Sequence, residues 1–520
     1  MSKQVWFKVE NPKEIRFKRI TPAVFDIAIN AFLKKLPSQM DQRAKTILHT
    51  LKRKDNDMVK AIFSLGAIEE KEFKTYQLRE GNLVLAAMTR RILSQEYVNA
   101  KGMERVVDDD DFRKAIDMKN LSERVSNFGF YMRETWKLKN REIRAIIEKL
   151  DLSGIKRIVM PGAMGGSAIG GLVVKMLLSN LGFQSDLDLL PHYPSPMRPL
   201  RKGDLALIYS YSGNTEEALL WMEKLNTKDV KIIGVSTGGR LEEICSEQKL
   251  PFIRIPGKKF NLVQPREHLA VAIVILLAIV GYAGMAWREE RGKRLIFDIE
   301  KWWSEIERST QKLTELARKK YNVGMPFSQS PAKQAALFLN WGATNPAKVE
   351  RLFPMKDPAF WASPFYEAIA RRLENQFGEC VEHPASAKIM PEDMHNEQEA
   401  YVQQWFETLW GGNRNGEGKI VSPNTVFLRF KGYLDKRLTI RADKLFNDFL
   451  KGAPQMRFEI KNYGKEYPML GELEALLFCD LTRAFSSIYR GVTPHYVHSM
   501  NYNKFYMATV PGGPGIKGGI

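Results

Sequence analysis

Cysteine is nearly absent: the 520-residue chain has three, Cys245, Cys380 and Cys479, scattered along it. They form no CxxC pair and no Cys/His spacing of the kind a structural metal needs, so no metal site is expected. An odd, sparse set of this kind fits a reducing compartment such as the cytoplasm. No secretory leader is expected, because charges interrupt MSKQVWFKVENPKEIRFKR and no apolar core follows. Acidic residues are in deficit, 60 Asp and Glu against 79 Lys and Arg, for a net charge of +19. The excess is uneven, with 21 Lys/Arg against 12 Asp/Glu in residues 1–106. A basic surface attracts nucleic acid and phosphorylated small molecules alike, so charge alone does not choose between them. Long apolar runs are lacking with one exception, Leu269 to Trp287 (LAVAIVILLAIVGYAGMAW), which could span a bilayer by length. It stands alone and directly follows a motif that belongs inside a site. A helix buried on all sides in a large α/β domain is therefore expected, not a membrane span.

What is present is ordinary globular material, 44% hydrophobic and 27% charged, in a chain long enough for two or three domains. Residues 1–106 read as mostly helical, with apolar residues at helical spacing in Phe25-Ile27-Ile29-Phe32-Leu33 and Leu83-Leu85-Met88-Ile92-Leu93. The acidic run Asp108–Asp111 reads as the cap of a following helix. From about residue 150, short apolar runs alternate with helical stretches. Ile155–Met160, Leu187–Leu190, Leu205–Tyr209, Val230–Val235 and Phe252–Ile255 read as strands. Leu172–Leu181, Thr215–Leu225 and a stretch from Leu241 read as helices. That alternation implies an α/β fold with a parallel sheet covered on both faces, whose ligands bind at the carboxyl ends of the strands. The second half is less regular. Ala332–Leu339, Tyr366–Phe377 and Leu470–Arg490 read as helices, and Thr425–Phe430 and Met456–Ile460 as strands of a second α/β unit.

Two loops carry chemistry. The first, Gly162-Ala163-Met164-Gly165-Gly166-Ser167-Ala168-Ile169-Gly170-Gly171, lies between a strand and a helix. Backbone N–H groups at a helix start, with glycines allowing close approach, form an anion site. No Gly-Lys-Ser/Thr follows and the spaced GxGxxG is not matched, so it is neither a P-loop nor a dinucleotide fingerprint. Glycines there also serve strand-to-helix packing. The second loop places Ser210, Ser212 and Thr215 around Gly213-Asn214 at another helix start. Hydroxyl donors beside a glycine loop suit a phosphate monoester; ordinary helix capping would account for one hydroxyl, not three plus Ser167.

Taken together, GAMGGSAIGG, SYSGNTEE, STGG and QPRE, in this order and spacing, resemble the bifunctional phosphoglucose/phosphomannose isomerase family of the sugar isomerase fold. The resemblance runs from about residue 108 to 505 and is stronger before 285. It implies two sugar-isomerase-type α/β units with parallel sheets flanked by helices, plus a mostly helical N-terminal extension. The division it implies is a basic extension over 1–106, a first unit with the phosphate-binding loops over 107–290, a second, divergent unit over 291–505 and a flexible Gly-rich tail over 506–520. By resemblance, Gly166, Ser167, Ser210, Ser212 and Thr215 hold the sugar phosphate, and Arg266 of QPRE stabilises an enediolate. In the second half, Arg371-Arg372-Leu373-Glu374-Asn375-Gln376-Phe377-Gly378-Glu379 and Met394-His395-Asn396-Glu397 resemble the family's acid–base blocks. Glu379 would move the proton between C1 and C2. His395, from a partner subunit, would open the sugar ring, with help from Lys504.

The implied reaction interconverts glucose 6-phosphate and fructose 6-phosphate, with mannose 6-phosphate as a further substrate, through a cis-enediol. It needs no cofactor, because side chains carry both proton transfers. The resemblance also implies a homodimer with shared sites. Ala163 and Leu172 stand where the family usually has glycine and aspartate, and Cys380 where it has asparagine. Inserts are expected around 345–362 and 408–422. The competing expectation is a sugar-phosphate-binding regulatory protein whose basic N-terminal region contacts nucleic acid; binding alone would not require Glu379.

Overall fold

A computed structural model of the chain describes scattered positions between 59 and 98, then residues 101–152, 154–183, 187–190, 194, 200–225, 230–262, 264–286, 297–342, 356–393, 425–448, 450 and 453–494. The acidic run caps a helix as expected. Asp109 caps helix α1 (Asp110–Ile116), its Oδ1 accepting from the backbone N–H groups of Asp111 and Phe112 at 3.1 Å each. Two further helices follow, α2 (Leu121–Ser126) and α3 (Phe128–Lys149).

The first sheet is built from β1 (Arg157–Pro161), β2 (Leu187–Leu190), β3 (Asp204–Tyr209), β4 (Lys231–Ser236) and β5 (Phe252–Arg254). All pair in parallel, in the order β2-β1-β3-β4-β5. Every residue of the central β3 is buried, which is why it reads as a continuous apolar run. Helix α4 (Gly165–Asn180) leaves β1, α5 (Glu216–Lys224) leaves β3 and α6 (Gly239–Glu247) leaves β4. The chain reverses its order between β1 and β3, so the crevice outside their carboxyl ends is where such a sheet binds ligands. Helix α4 starts seven residues earlier than its apolar periodicity suggests, directly in the glycine loop. Gly170 and Gly171 do serve packing. A Cβ at Gly170 would lie 3.2 Å from the Ala272 Cβ, and one at Gly171 would lie 2.7 Å from Leu189.

The apolar run forms α7 (Leu269–Ala286), which packs against α3, α4 and α8 (Ile299–Lys320). Its residues from Leu269 to Ile279 are at most 3% exposed, so burial within the protein satisfies the run. Among the described residues no helix is long and apolar enough to cross a membrane. Trp136 of α3 stacks on Trp303 of α8 at 4.1 Å between ring centroids and closes this layer.

After α9 (Pro331–Trp341) comes the second sheet, with β6 (Asp357–Ala362), β7 (Ser386–Ile389), β8 (Thr425–Lys431) and β9 (Gln455–Glu459). These are parallel in the order β7-β6-β8-β9. Its helices are α10 (Glu367–Gln376), α11 (Lys436–Asp448) and α12 (Leu470–Arg490). Two strands were not legible in the sequence. β6 falls inside the stretch read as an insert, because Pro358 near its start argues against a central strand and only four apolar residues follow it. β7 is four residues long. The described positions before residue 100 are helical and join the main core through Ile62, Leu65, Leu93 and Val98. Gln95 Nε2 donates to the Tyr489 carbonyl at 2.9 Å, which ties this segment to the end of α12.

Candidate active site

Three segments distant in sequence meet at the carboxyl end of the first sheet. The first is the glycine loop after β1. Gly165 has φ +49°, in the left-handed region that a residue without Cβ adopts freely, and it opens α4. No side chain caps α4; the Ser167 N–H turns back to the Met164 carbonyl at 3.1 Å, and the Gly165 and Gly166 N–H groups ahead of it are the ones a helix start offers to an anion. Ser167 lies in this first turn, half-buried.

The second is the hydroxyl loop after β3. Ser210 Oγ and Thr215 Oγ1 are 2.7 Å apart, and Ser210 Oγ accepts from the Gly213 N–H at 3.1 Å. Ser212 Oγ accepts from the Asn214 N–H at 3.2 Å. Thr215 is the N-cap residue of α5, yet its side chain makes no capping bond. Simple helix capping therefore does not account for these hydroxyls. They organise the loop itself and leave the α5 start open. Gly213, at φ +72°, is pressed against the next loop: a Cβ there would lie 1.8 Å from the Gly238 carbonyl oxygen. No larger residue fits.

The third segment is QPRE, a single 3-10 turn, Pro265–Glu267. Its Arg266 side chain is 4% exposed and donates from Nη1 to Oε2 of Glu379 at 3.2 Å. The same nitrogen lies 3.4 Å from Cys380 Sγ. The buried Glu267 carboxylate takes Arg124 of α2 at 2.8 Å. Glu379 sits on a π-helical turn, Phe377–Val381, that ends α10. Such turns widen the helix and re-aim its side chains, and they recur at functional sites. A Cβ on Gly165 would lie 3.5 Å from Glu379 Oε1, so the carboxylate rests against the first loop. One on Gly166 would lie 3.4 Å from the Pro265 carbonyl oxygen. The glycine loop, Arg266 and Glu379 thus form one contact set. His395 and Lys504 lie outside the described residues.

Support for this set was not foreseen from the sequence. Arg372 of α10, 1% exposed, makes a two-pronged ion pair with Asp480 of α12 at 2.9 and 3.1 Å. Its Nη2 also donates to the Arg266 carbonyl at 2.6 Å, which pins the QPRE turn to both helices. Arg483, one turn further along α12, donates from Nη1 to Cys380 Sγ at 3.2 Å. The signal was available: Asp480 and Arg483 are charges three residues apart in the most completely buried helix of the second unit.

His268 closes the turn. Its Nδ1 lies 2.8 Å from the Gln264 carbonyl and its ring packs 4.1 Å from that of Tyr211, between Ser210 and Ser212. Burial pushes its imidazole down from 6.5 to about 4, so it is neutral at pH 7. Between these two values the unfolded chain binds a proton that the folded chain refuses. Stability on this account is constant above pH 6.5 and falls as pH drops toward 4, by about 3 kcal/mol in all. His268→Gln is expected to flatten the acid limb of the denaturation midpoint plotted against pH.

Comparison with known proteins adds relatives. Residues 347–507 match the model of the bacterial phospho-glucose isomerase C-terminal SIS domain. A bifunctional phosphoglucose/phosphomannose isomerase of Caldicellulosiruptor bescii is 28% identical over 247 residues, 47% of this chain and 62% of that protein. One of Aquifex aeolicus is 26% identical over 248 residues, 48% of this chain and 62% of that protein. The match thus spans less than two thirds of either relative. The solved structure of glucosamine-6-phosphate deaminase from Thermotoga maritima overlays with a TM-score of 0.40 at 14% identity, covering 70% of this chain and 96% of that one. Over about half its length the chain is similar to the bifunctional phosphoglucose/phosphomannose isomerases, and residues 347–507 match the bacterial phospho-glucose isomerase C-terminal SIS domain.

Proposed function

We propose that the protein is an aldose–ketose isomerase that interconverts glucose 6-phosphate and fructose 6-phosphate and also accepts mannose 6-phosphate. The observation that carries this reading is the Arg266–Glu379 contact of 3.2 Å beside the glycine loop. A carboxylate next to a buried cation, against a glycine loop at a helix start, suits proton transfer alpha to a carbonyl. In this reading Gly166, Ser167, Ser210, Ser212 and Thr215, with the α4 and α5 starts, hold the phosphate. Glu379 takes the proton from C1 of the open ketose. The electron pair moves into the C1–C2 bond, and the negative charge on O2 faces Arg266. Glu379 then returns the proton to C2, and a proton passes from O1 to O2 to leave the aldehyde at C1. His395 and Lys504 are assigned to ring opening on the family resemblance. Binding alone does not require a base at Glu379.

Isomerisation in deuterium oxide tests the proton route. Glucose 6-phosphate formed from fructose 6-phosphate should carry deuterium at C2, read by proton NMR, because a carboxyl group exchanges with solvent during the enediol's lifetime. Product with no deuterium at C2 and undiminished turnover would point to direct hydride migration and remove the base role.

The reading includes a homodimer whose sites combine Glu379 of one subunit with the partner's His395. Mixing refolded Glu379→Gln and His395→Ala proteins, each inactive alone, should restore activity in the heterodimer. Random pairing leaves about a quarter of the sites intact. No recovery, with mixed dimers present, would place both residues in one subunit.

A further inference from the structure

A second concavity lies well away from Glu379, at the carboxyl side of the second sheet. It encloses about 590 Å³. Segments leaving β8 and β9 line it, together with the turn into α12; the end of α4 and the start of α8 close it. The second sheet repeats the reversal of the first, with β6 and β8 adjacent and β7 outside β6. Its carboxyl edge is therefore also where an α/β sheet offers a crevice.

The lining has three kinds of chemistry. On the floor, Glu472 is 1% exposed and its Oε1 accepts from Asn180 Nδ2 at 3.1 Å and from the Tyr433 hydroxyl at 3.0 Å. The Asn180 Oδ1 is buried and has no hydrogen-bond partner among the described residues. This acceptor has no donor among the described residues, and it calls for one. The walls carry braced aromatic rings. Tyr463 donates its hydroxyl to Glu474 at 2.6 Å, and Trp302 packs edge-on to Phe183 at 5.3 Å. At the mouth stand Lys301, Lys461 and Lys465, all exposed. Floor acceptors suit hydroxyl groups, ring faces suit the C–H face of a carbohydrate, and lysines at the mouth suit a phosphate.

We propose that this cleft binds a small phosphorylated sugar or polyol, as a site separate from the catalytic one. Helix α4 measures the separation: it has its first turn in the glycine loop and its last residue, Asn180, in the cleft, roughly 22 Å apart at 1.5 Å per residue. Helix α12 makes a second rigid link, from Glu472 in the cleft to Asp480 behind Arg266.

The test is calorimetric titration of the full chain with glucitol 6-phosphate, which has no carbonyl to isomerise, and separately with inorganic phosphate. Wild type should bind two equivalents of glucitol 6-phosphate per chain. Lys461→Ala/Lys465→Ala should bind one, with kcat and KM for fructose 6-phosphate within twofold of wild type. Ser210→Ala/Ser212→Ala should also bind one, now at the cleft, and Trp302→Ala should weaken that remaining binding at least tenfold. A single equivalent in wild type that Ser210→Ala/Ser212→Ala abolishes would overturn the proposal and leave the catalytic reading intact. A single equivalent that only the lysine variant abolishes would uphold the cleft and count against the loops. Two equivalents of inorganic phosphate but one of glucitol 6-phosphate would overturn the assignment of a sugar.

Discussion

Replacing Glu379 by glutamine is expected to lower kcat for fructose 6-phosphate by roughly a thousandfold or more, with KM changed far less. A thousandfold corresponds to about 4 kcal/mol of transition-state stabilisation. The amide keeps the size of the side chain and an oxygen that can accept from Arg266, 3.2 Å away in the wild type. It therefore removes basicity more than geometry. The phosphate-holding groups sit on other segments, so ground-state binding should persist. A coupled assay following glucose 6-phosphate through its dehydrogenase reads both constants. Undiminished kcat in Glu379→Gln would place the base elsewhere, whereas an equal loss through KM would make Glu379 a binding residue.

The largest effect on stability should come from Asp480→Ala. Its partner Arg372 is 1% exposed and, among the described residues, would keep only the Arg266 carbonyl as a charge-relieving contact. Stranding a buried guanidinium costs about 3–5 kcal/mol. Asp480→Asn should recover part of this, since it preserves shape and one acceptor. The double variant Arg372→Leu/Asp480→Leu should be much less destabilised than the sum of its single changes, because no charge is left stranded. The same substitution should reach catalysis. With Asp480 gone, Arg372 is no longer anchored on α12 and holds the QPRE turn less firmly through its 2.6 Å bond, and a displacement of about 1 Å in Arg266 can cost about a hundredfold in rate. Denaturant midpoints and kcat, measured on the same preparations, separate the two effects. Full stability in Asp480→Ala would mean that the pair contributes little to the fold.

The first unit was legible because its chemistry and its periodicity coincide. Leu205–Tyr209 is both an apolar run and the strand that delivers Ser210, so one reading located both. The start of α4 was less legible. Glycine and serine disguise a helix start as a loop, and the structure shows that GGSAIGG is already helical. The second unit was legible in α12 and β8 but not in β6, where a proline and aromatics replace a β-branched run. Glu379 and Arg266 were singled out individually. Their contact could not be, because it joins residues 113 positions apart through a π-helical turn that no local pattern signals. The Arg372–Asp480 brace is of the same kind: Arg372 stands in the motif block without a role of its own, and Asp480 is an unremarked charge, until the fold brings the two together.

Helix α7 has a consequence for how the chain is made. Once residue 286 has emerged from the ribosome, all the first sheet and an 18-residue helix without a polar face stand outside it. The helix that covers one side of it, α8, ends at Lys320. Between those points the nascent chain exposes an apolar surface of the kind that chaperones and membrane-targeting machinery recognise. Vectorial synthesis thus passes through a vulnerable interval that the finished protein does not reveal. A fragment cut near residue 290 would hold the chain in that interval permanently, and it should be recovered as aggregate unless residues 297–320 are restored to it.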